Sequence, residues 1–133
     1  MTPNPRSKVK NATAVDEYGI HFRSKLELYT YEAFMNAGIP VKYEPKHFTL
    51  IPKFEYLGKK IRAITYLPDF IGKNFVVECK GFIRDSFRLR YKLFKYYLKR
   101  HHSKMRCYLV RNHKQVDEMI QDILIQRQNG KKQ

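Results

Sequence analysis

A mixed α/β fold is expected, ordered as a helix, an antiparallel run of strands, then helix, strand and helix. Three features predict it. Between residues 41 and 80, short β-branched and aromatic runs are broken by Pro45, Pro52 and Gly58, the pattern of several short strands. From residue 85 the apolar period lengthens: Phe87, Tyr91, Phe94 and Leu98 recur at helical spacing. A second periodic segment with Val116, Met119, Ile120, Ile123 and Leu124 follows a strand-like stretch around Cys107 to Val110. A chain of 133 residues has room for one modest core. Residues 1–133 therefore read as one domain, with a mobile basic arm at about 1–12 and a short tail at about 128–133.

Taken in order, Asp16-Glu17-Tyr18-Gly19 reads as a turn before an extended piece, Ile20 to Phe22. Ser24 with Glu27 three residues on is a capping box. The helix it opens runs to about Ala37, with Leu26, Tyr29, Ala33 and Phe34 facing inward and Gly38 as a left-handed stop. Val41 to Glu44, His47 to Ile51 and Phe54 to Leu57 read as short strands. Gly58-Lys59 reads as a turn, and Lys60 to Phe70 as one longer returning strand, the four pieces forming an antiparallel meander. Tyr66 to Gly81 has the form of a β-hairpin turning at Gly72-Lys73, which sets Ile71 opposite Asn74 and Asp69 opposite Val76. Helices are expected from about Asp85 to His101 and from about Lys114 to Gln126, with a strand from Met105 to Arg111 between them.

The charge is lopsided. Lys and Arg number 27 against 12 Asp and Glu, a net charge of +15. Self-repulsion on that scale calls for a polyanion, and nucleic acid is the expected partner. Arg88, Lys92, Lys95 and Lys99 lie along one face of the Asp85 to His101 helix, and Arg84 precedes it. With only Asp85 to neutralise them locally, these five are the candidate DNA-binding residues. Tyr96 and Tyr97 would pack or stack on an unpaired base. No apolar run approaches the ~20 residues needed to cross a bilayer, and Met1 to Arg6 lacks an apolar leader core. No membrane association is expected, and the cytoplasm is the expected compartment. Cys79 and Cys107 have no CxxC spacing and read as reduced thiols in core strands. The five histidines lack zinc spacing with either cysteine, and no glycine-rich phosphate loop is present.

The hairpin carries the chemistry. Strand residues alternate faces, so Val76, Glu78 and Lys80 share one face while Phe75, Val77 and Cys79 share the other. Asp69 joins the face of Glu78 and Lys80. Two carboxylates and a lysine then meet on an otherwise apolar strand pair, and buried charges are costly unless they pair or bind a metal.

Pro68-Asp69 followed by Glu78-Cys79-Lys80 resembles the PD-(D/E)XK nuclease motif. Phe22-Arg23-Ser24-Lys25-Leu26-Glu27, Tyr66-Leu67-Pro68-Asp69-Phe70 and Val77-Glu78-Cys79-Lys80-Gly81 are similar to three successive motifs of endonuclease I-type phage Holliday junction resolvases. Lys60 to Tyr66 also resembles small phage proteins of that superfamily. The resemblance covers roughly residues 15 to 98. It implies a restriction-endonuclease-like core and a metal-dependent DNA endonuclease of phage or prophage origin, acting in the bacterial host cytoplasm. Branched DNA such as a Holliday junction is the implied substrate, and a homodimer the implied assembly. The implied centre is Glu27, Asp69, Glu78 and Lys80, with Mg²⁺ (or Mn²⁺) held by Asp69, Glu78, the Cys79 carbonyl and Glu27. Lys80 would orient or deprotonate the attacking water or stabilise its charge. Glu27 is equally a helix cap. Where those resolvases carry a further glutamate, this chain aligns Lys42, with Glu44 two residues away, so Glu44 is expected to be surface charge. A nuclease for ordinary single- or double-stranded DNA is the alternative enzyme. A basic DNA-binding protein with a purely structural acidic cluster is the alternative outside enzymes.

Overall fold

The computed structural model describes residues 13–131, so the expected arm at 1–12 lies outside the described residues. It opens with a small hairpin. β1 (Val15–Glu17) pairs with β2 (Ile20–Phe22) across Tyr18 and Gly19, whose φ values of 58° and 71° suit a tight two-residue turn. The turn was expected; β1, mostly polar, was not. α1 (Lys25–Asn36) starts at Ser24, whose Oγ accepts from the Glu27 N–H at 3.2 Å. It ends before Gly38, which sits at φ 68°.

The next six strands are not a meander. β3 (Val41–Tyr43), β4 (Phe48–Ile51) and β5 (Phe54–Tyr56) run outward, and β6 (Lys59–Ile61), β7 (Ile64–Tyr66) and β8 (Phe70–Gly72) return. The pairs are nested: β5 with β6, β4 with β7 and β3 with β8, all antiparallel. The expected long strand from Lys60 to Phe70 is thus three strands, each with its own partner. A meander needs a reversal between successive strands. Pro45 and Pro52 interrupt the ladder without reversing the chain, because proline removes a donor and fixes only φ. The reversal comes at Leu57-Gly58, with φ of 49° and 77°.

A four-stranded sheet, ordered β10-β9-β8-β3, forms the centre of the fold. β8 pairs antiparallel with β9 (Phe75–Cys79), with Ile71 opposite Val76 and Gly72 opposite Phe75. The turn residues are therefore Lys73 and Asn74, with Asn74 at φ 68°, rather than Gly72 and Lys73. This shifts the expected register by two residues, and because the side-chain period is two, every face assignment survives. Gly72 serves a different purpose from turning. A Cβ there would lie 2.1 Å from Cζ of the Phe75 ring, which folds across it.

From β9 the chain passes through α2 (Asp85–His101) to β10 (Arg106–Val110), which pairs parallel with β9. α3 (His113–Lys131) follows and continues helical through residues 128–131, expected as tail. On one sheet face Phe75, Val77 and Cys79 pack with Phe22 and Phe34 and with Val116, Met119, Ile120 and Ile123 of α3. On the other, Val76 joins Phe48, Tyr66, and Tyr91, Phe94 and Leu98 of α2. The α2 apolar face is the one its periodicity predicts.

Candidate active site

The sheet register lines up three acids. Extending the β3–β8 pairing one residue past Tyr43 and Phe70 sets Glu44 opposite Asp69, and the Glu44 N–H donates to the Asp69 carbonyl at 2.8 Å. Extending the β8–β9 pairing past Phe70 and Val77 sets Asp69 opposite Glu78. A fourth acid arrives from α1. Carboxylate oxygens of Glu27, Glu44 and Asp69 lie within 4.8 Å of one another. Such a set of hard oxygen donors suits Mg²⁺ or Mn²⁺.

Each acid is held. Asp69 is buried, and its Oδ2 accepts from the Cys79 N–H at 2.7 Å. Glu27 Oε2 accepts from the Arg23 N–H at 2.8 Å and from the Tyr43 hydroxyl at 3.1 Å. Glu27 therefore caps its helix and sits in the acidic cluster at once, although the N–H it caps belongs to Arg23 rather than Ser24. Arg23 grips Glu44 through two bonds, Nε to Oε1 at 2.8 Å and Nη2 to Oε2 at 3.1 Å. Glu78 is buried beside Lys80, whose Nζ is 3.5 Å from Oε1. Among the described residues neither Oε2 of Glu78 nor the Tyr66 hydroxyl beside it makes a well-formed hydrogen bond, although the two are close enough for the hydroxyl to favour the Glu78 carboxylate. A buried carboxylate oxygen without a well-formed bond is expensive and favours a cation at the site. Lys80 Nζ also lies 4.9 Å from the centre of the Phe87 ring.

Crowding and burial raise the carboxyl pKa values. For Asp69 the causes are burial, then Glu78 and Glu27, and the value stands well above the ordinary carboxyl range. For Glu27 burial raises it against hydrogen bonds that lower it; for Glu78 burial raises it against Lys80. With raised values in the folded chain, the cluster's contribution to stability is complete below about pH 4, the unfolded range, and is lost as pH rises through the raised values. Asn at position 69 removes that loss while accepting the same Cys79 N–H. Asp69→Asn is therefore expected to melt above the wild type at pH 8 in EDTA and no higher at pH 4. Parallel melting curves at both pH values would show that the cluster is not electrostatically strained. Millimolar Mg²⁺ at pH 8 should narrow the difference by stabilising the wild type.

The cluster lies in a cleft of about 1090 Å³. Three helices open onto it at their N-termini: Ser24 and Lys25 of α1, Arg84 and Ser86 of α2, and Asn112 to Lys114 of α3 all line it. Helix N-termini carry partial positive charge and favour anions. Arg23, Lys25, Lys80, Arg84, Arg90, Arg111 and Lys114 add cationic side chains to the same walls. Acids grouped within a basic cleft can bind a cation, and the surrounding positive charge favours anions.

Residues 6–117 match the model of a family described as a protein of unknown function, DUF1064. The chain belongs to the DUF1064 family. No curated protein and no solved structure matches it. In this DUF1064 protein the sequence-predicted Glu27, Asp69, Glu78 and Lys80 all line one cleft. The Cys79 thiol is turned away, 3.4 Å from Thr30 Oγ1 in the core, so only its backbone is left for the expected ligand role. Of the candidate DNA-binding residues, Arg84 lines the cleft; Arg88, Lys92, Lys95 and Lys99 are exposed along α2 outside it. Glu44 corrects the expectation of surface charge: its side chain is 17% exposed and belongs to the cluster. Arg23, Lys25, Arg111 and Lys114 carry no local signal of a shared site, since the cleft they line depends on packing among separate elements, and Arg90 reads in the sequence only as added charge on α2. Cys79 and Cys107 are free thiols, and burial pushes the Cys107 thiol up to about 11. Among the described residues no helix is long and apolar enough to cross a membrane.

Proposed function

We propose that this DUF1064 protein is a metal-dependent DNA endonuclease built on a restriction-endonuclease-like core. The observation that carries the reading is the convergence of Glu27, Glu44 and Asp69 within 4.8 Å, with Glu78 and Lys80 on the adjoining strand. The donor set and the Glu78 oxygen without a well-formed bond fit a hard divalent cation. Asp69, Glu78 and Glu27 would hold it, with Glu44 as an added ligand and the Cys79 carbonyl as the remaining backbone donor. Mg²⁺ or Mn²⁺ supplies charge relief at the phosphate and lowers the pKa of a water.

The chain's own groups do the rest. Arg23 fixes Glu44, and Tyr43 and the Arg23 N–H fix Glu27, so the ligands keep their rotamers without the ion. Lys80 sits beside Glu78 with its side chain partly open to the cleft, placed to orient the attacking water or offset the charge it develops. The basic walls and the three helix N-termini would hold the phosphates on either side. Branched DNA as the preferred substrate and a homodimer as the active assembly rest on the motif resemblance.

The test is a cleavage panel. Four-way junction, matched duplex and single strand are incubated with Mg²⁺, Mn²⁺ or EDTA. Metal-dependent scission of any of them is expected, with the junction cut fastest. Binding without cleavage under every metal condition would leave a basic DNA-binding protein. Glu27→Gln is expected to fold and bind DNA but cleave poorly, because Gln still accepts the Arg23 N–H yet lacks the charge that Mg²⁺ favours. Wild-type rates for this variant at limiting Mg²⁺ would reduce Glu27 to a helix cap.

A further inference from the structure

The outer end of the nested hairpin has no core to serve. Every residue of β5 and β6 is exposed, on both faces of the ribbon. Yet it is not polar. Alternation puts Phe54 and Tyr56 on one face with their partners Ile61 and Lys59, and leaves Glu55 with Lys60 on the other. Phe54 is 48% exposed, Tyr56 64% and the turn residue Leu57 85%. Edge strands in isolated ribbons are usually blunted by charge rather than lined with aromatics. The charges present are nearly all of one sign: Lys53, Lys59, Lys60 and Arg62 surround a single acid, Glu55.

We infer that this ribbon is a nucleic-acid probe that reads unpaired or unstacked bases. The cationic flanks supply contact with phosphates. Tyr56 and Phe54 present rings on which a base can stack, and Leu57 at the tip is shaped to enter an opened base step. The charge selects the occupant. A ribbon carrying four cations and one acid would repel a second copy of a chain of net charge +15, whereas a polyanion is drawn to it. The inference rests on the nucleic-acid reading above and deepens it: such a ribbon would favour DNA whose stacking is already interrupted.

The test compares the full chain with the double variant Tyr56→Ala/Leu57→Ala, both in an Asp69→Asn background and in EDTA, so that no cleavage intervenes. The probes are a duplex with a three-nucleotide gap carrying 2-aminopurine and a matched duplex of the same length. Binding to the gapped probe should weaken by about tenfold in the double variant, with the 2-aminopurine quenching lost, while the matched duplex changes less than about twofold. Tyr56→Phe should retain gapped-probe binding. Unchanged gapped-probe affinity, or equal losses on both probes, would overturn the inference. So would light scattering that shows a wild-type dimer split by the variant, which would make the ribbon a contact between copies. The nuclease reading fails separately, through the absence of metal-dependent cleavage by the unmutated chain.

Discussion

Replacing Asp69 with asparagine is expected to lower cleavage by at least about 10³-fold while leaving the fold and DNA binding intact. Asp69 occupies the centre of the acidic row, opposite both Glu44 and Glu78 by strand register. It also belongs, with buried Glu27 and half-buried Glu44, to the metal-competent cluster. Asparagine preserves shape and still accepts the Cys79 N–H, but removes the charge that a divalent cation requires. Losing several kcal/mol of charge stabilisation in the transition state corresponds to about three powers of ten in rate. The measurement is single-turnover cleavage of whichever DNA the wild type cuts best, over a range of Mg²⁺ and Mn²⁺. Raising Mn²⁺ should recover part of the rate, since the remaining acids keep a weakened site. A variant within tenfold of wild type at limiting metal would remove Asp69 from the centre.

The second large effect is expected far from any acid. Gly72→Ala should destabilise the protein by about 1–3 kcal/mol, the usual cost of overfilling a packed core. That cost corresponds to a fall of roughly 4–12 °C in melting temperature for a domain of this size. The new methyl would sit 2.1 Å from Cζ of Phe75. The ring has nowhere to go: Phe75 is buried, stacked on Phe34 at 5.6 Å between centroids and edge-on to Tyr108 at 6.4 Å. Gly72 is not at positive φ, so backbone strain does not contribute. Phe75→Leu in the same chain should recover part of the loss by vacating the space over residue 72. Thermal melts of the two single variants and the double complete the cycle. Equal additivity of the two substitutions would mean that the ring and the glycine do not compete for that space.

The helices were the most legible part of this chain, because their signals are local. Phe87, Tyr91, Phe94 and Leu98 mark a face by spacing alone, and Ser24 announces its helix by its own side chain. The alternation of Phe75 to Lys80 was equally readable. Strand pairing was harder to read. Lys60 to Tyr66 has continuous strand-like character, but its breaks are set by partners lying elsewhere in the chain. The turn lies at Lys73-Asn74 rather than Gly72-Lys73 because the constraint on Gly72 is not reversal but the ring of Phe75, three residues along the chain and directly across the ladder. Glu44 is misplaced for another reason: the motif resemblance aligns Lys42, two residues away, with the family's further glutamate. Only the pairing of β3 with β8 brings it to Asp69, and a meander keeps those strands apart. The pairing of Asp69 with Glu78 is accessible because one short hairpin contains both.

The nested hairpin also bears on how the chain finds its fold. Joining Glu44 to Asp69 directly would close a long loop at once, and the entropy of that closure must be met before any contact forms. Pairing outward from Leu57-Gly58 avoids the single large step. With β5 closed on β6 across two residues, β4 and β7, and after them β3 and β8, would each have only a short loop left to close. Local contacts of this kind speed folding relative to distant pairings. A chain closing in that order would set Glu44 beside Asp69 at its final pairing.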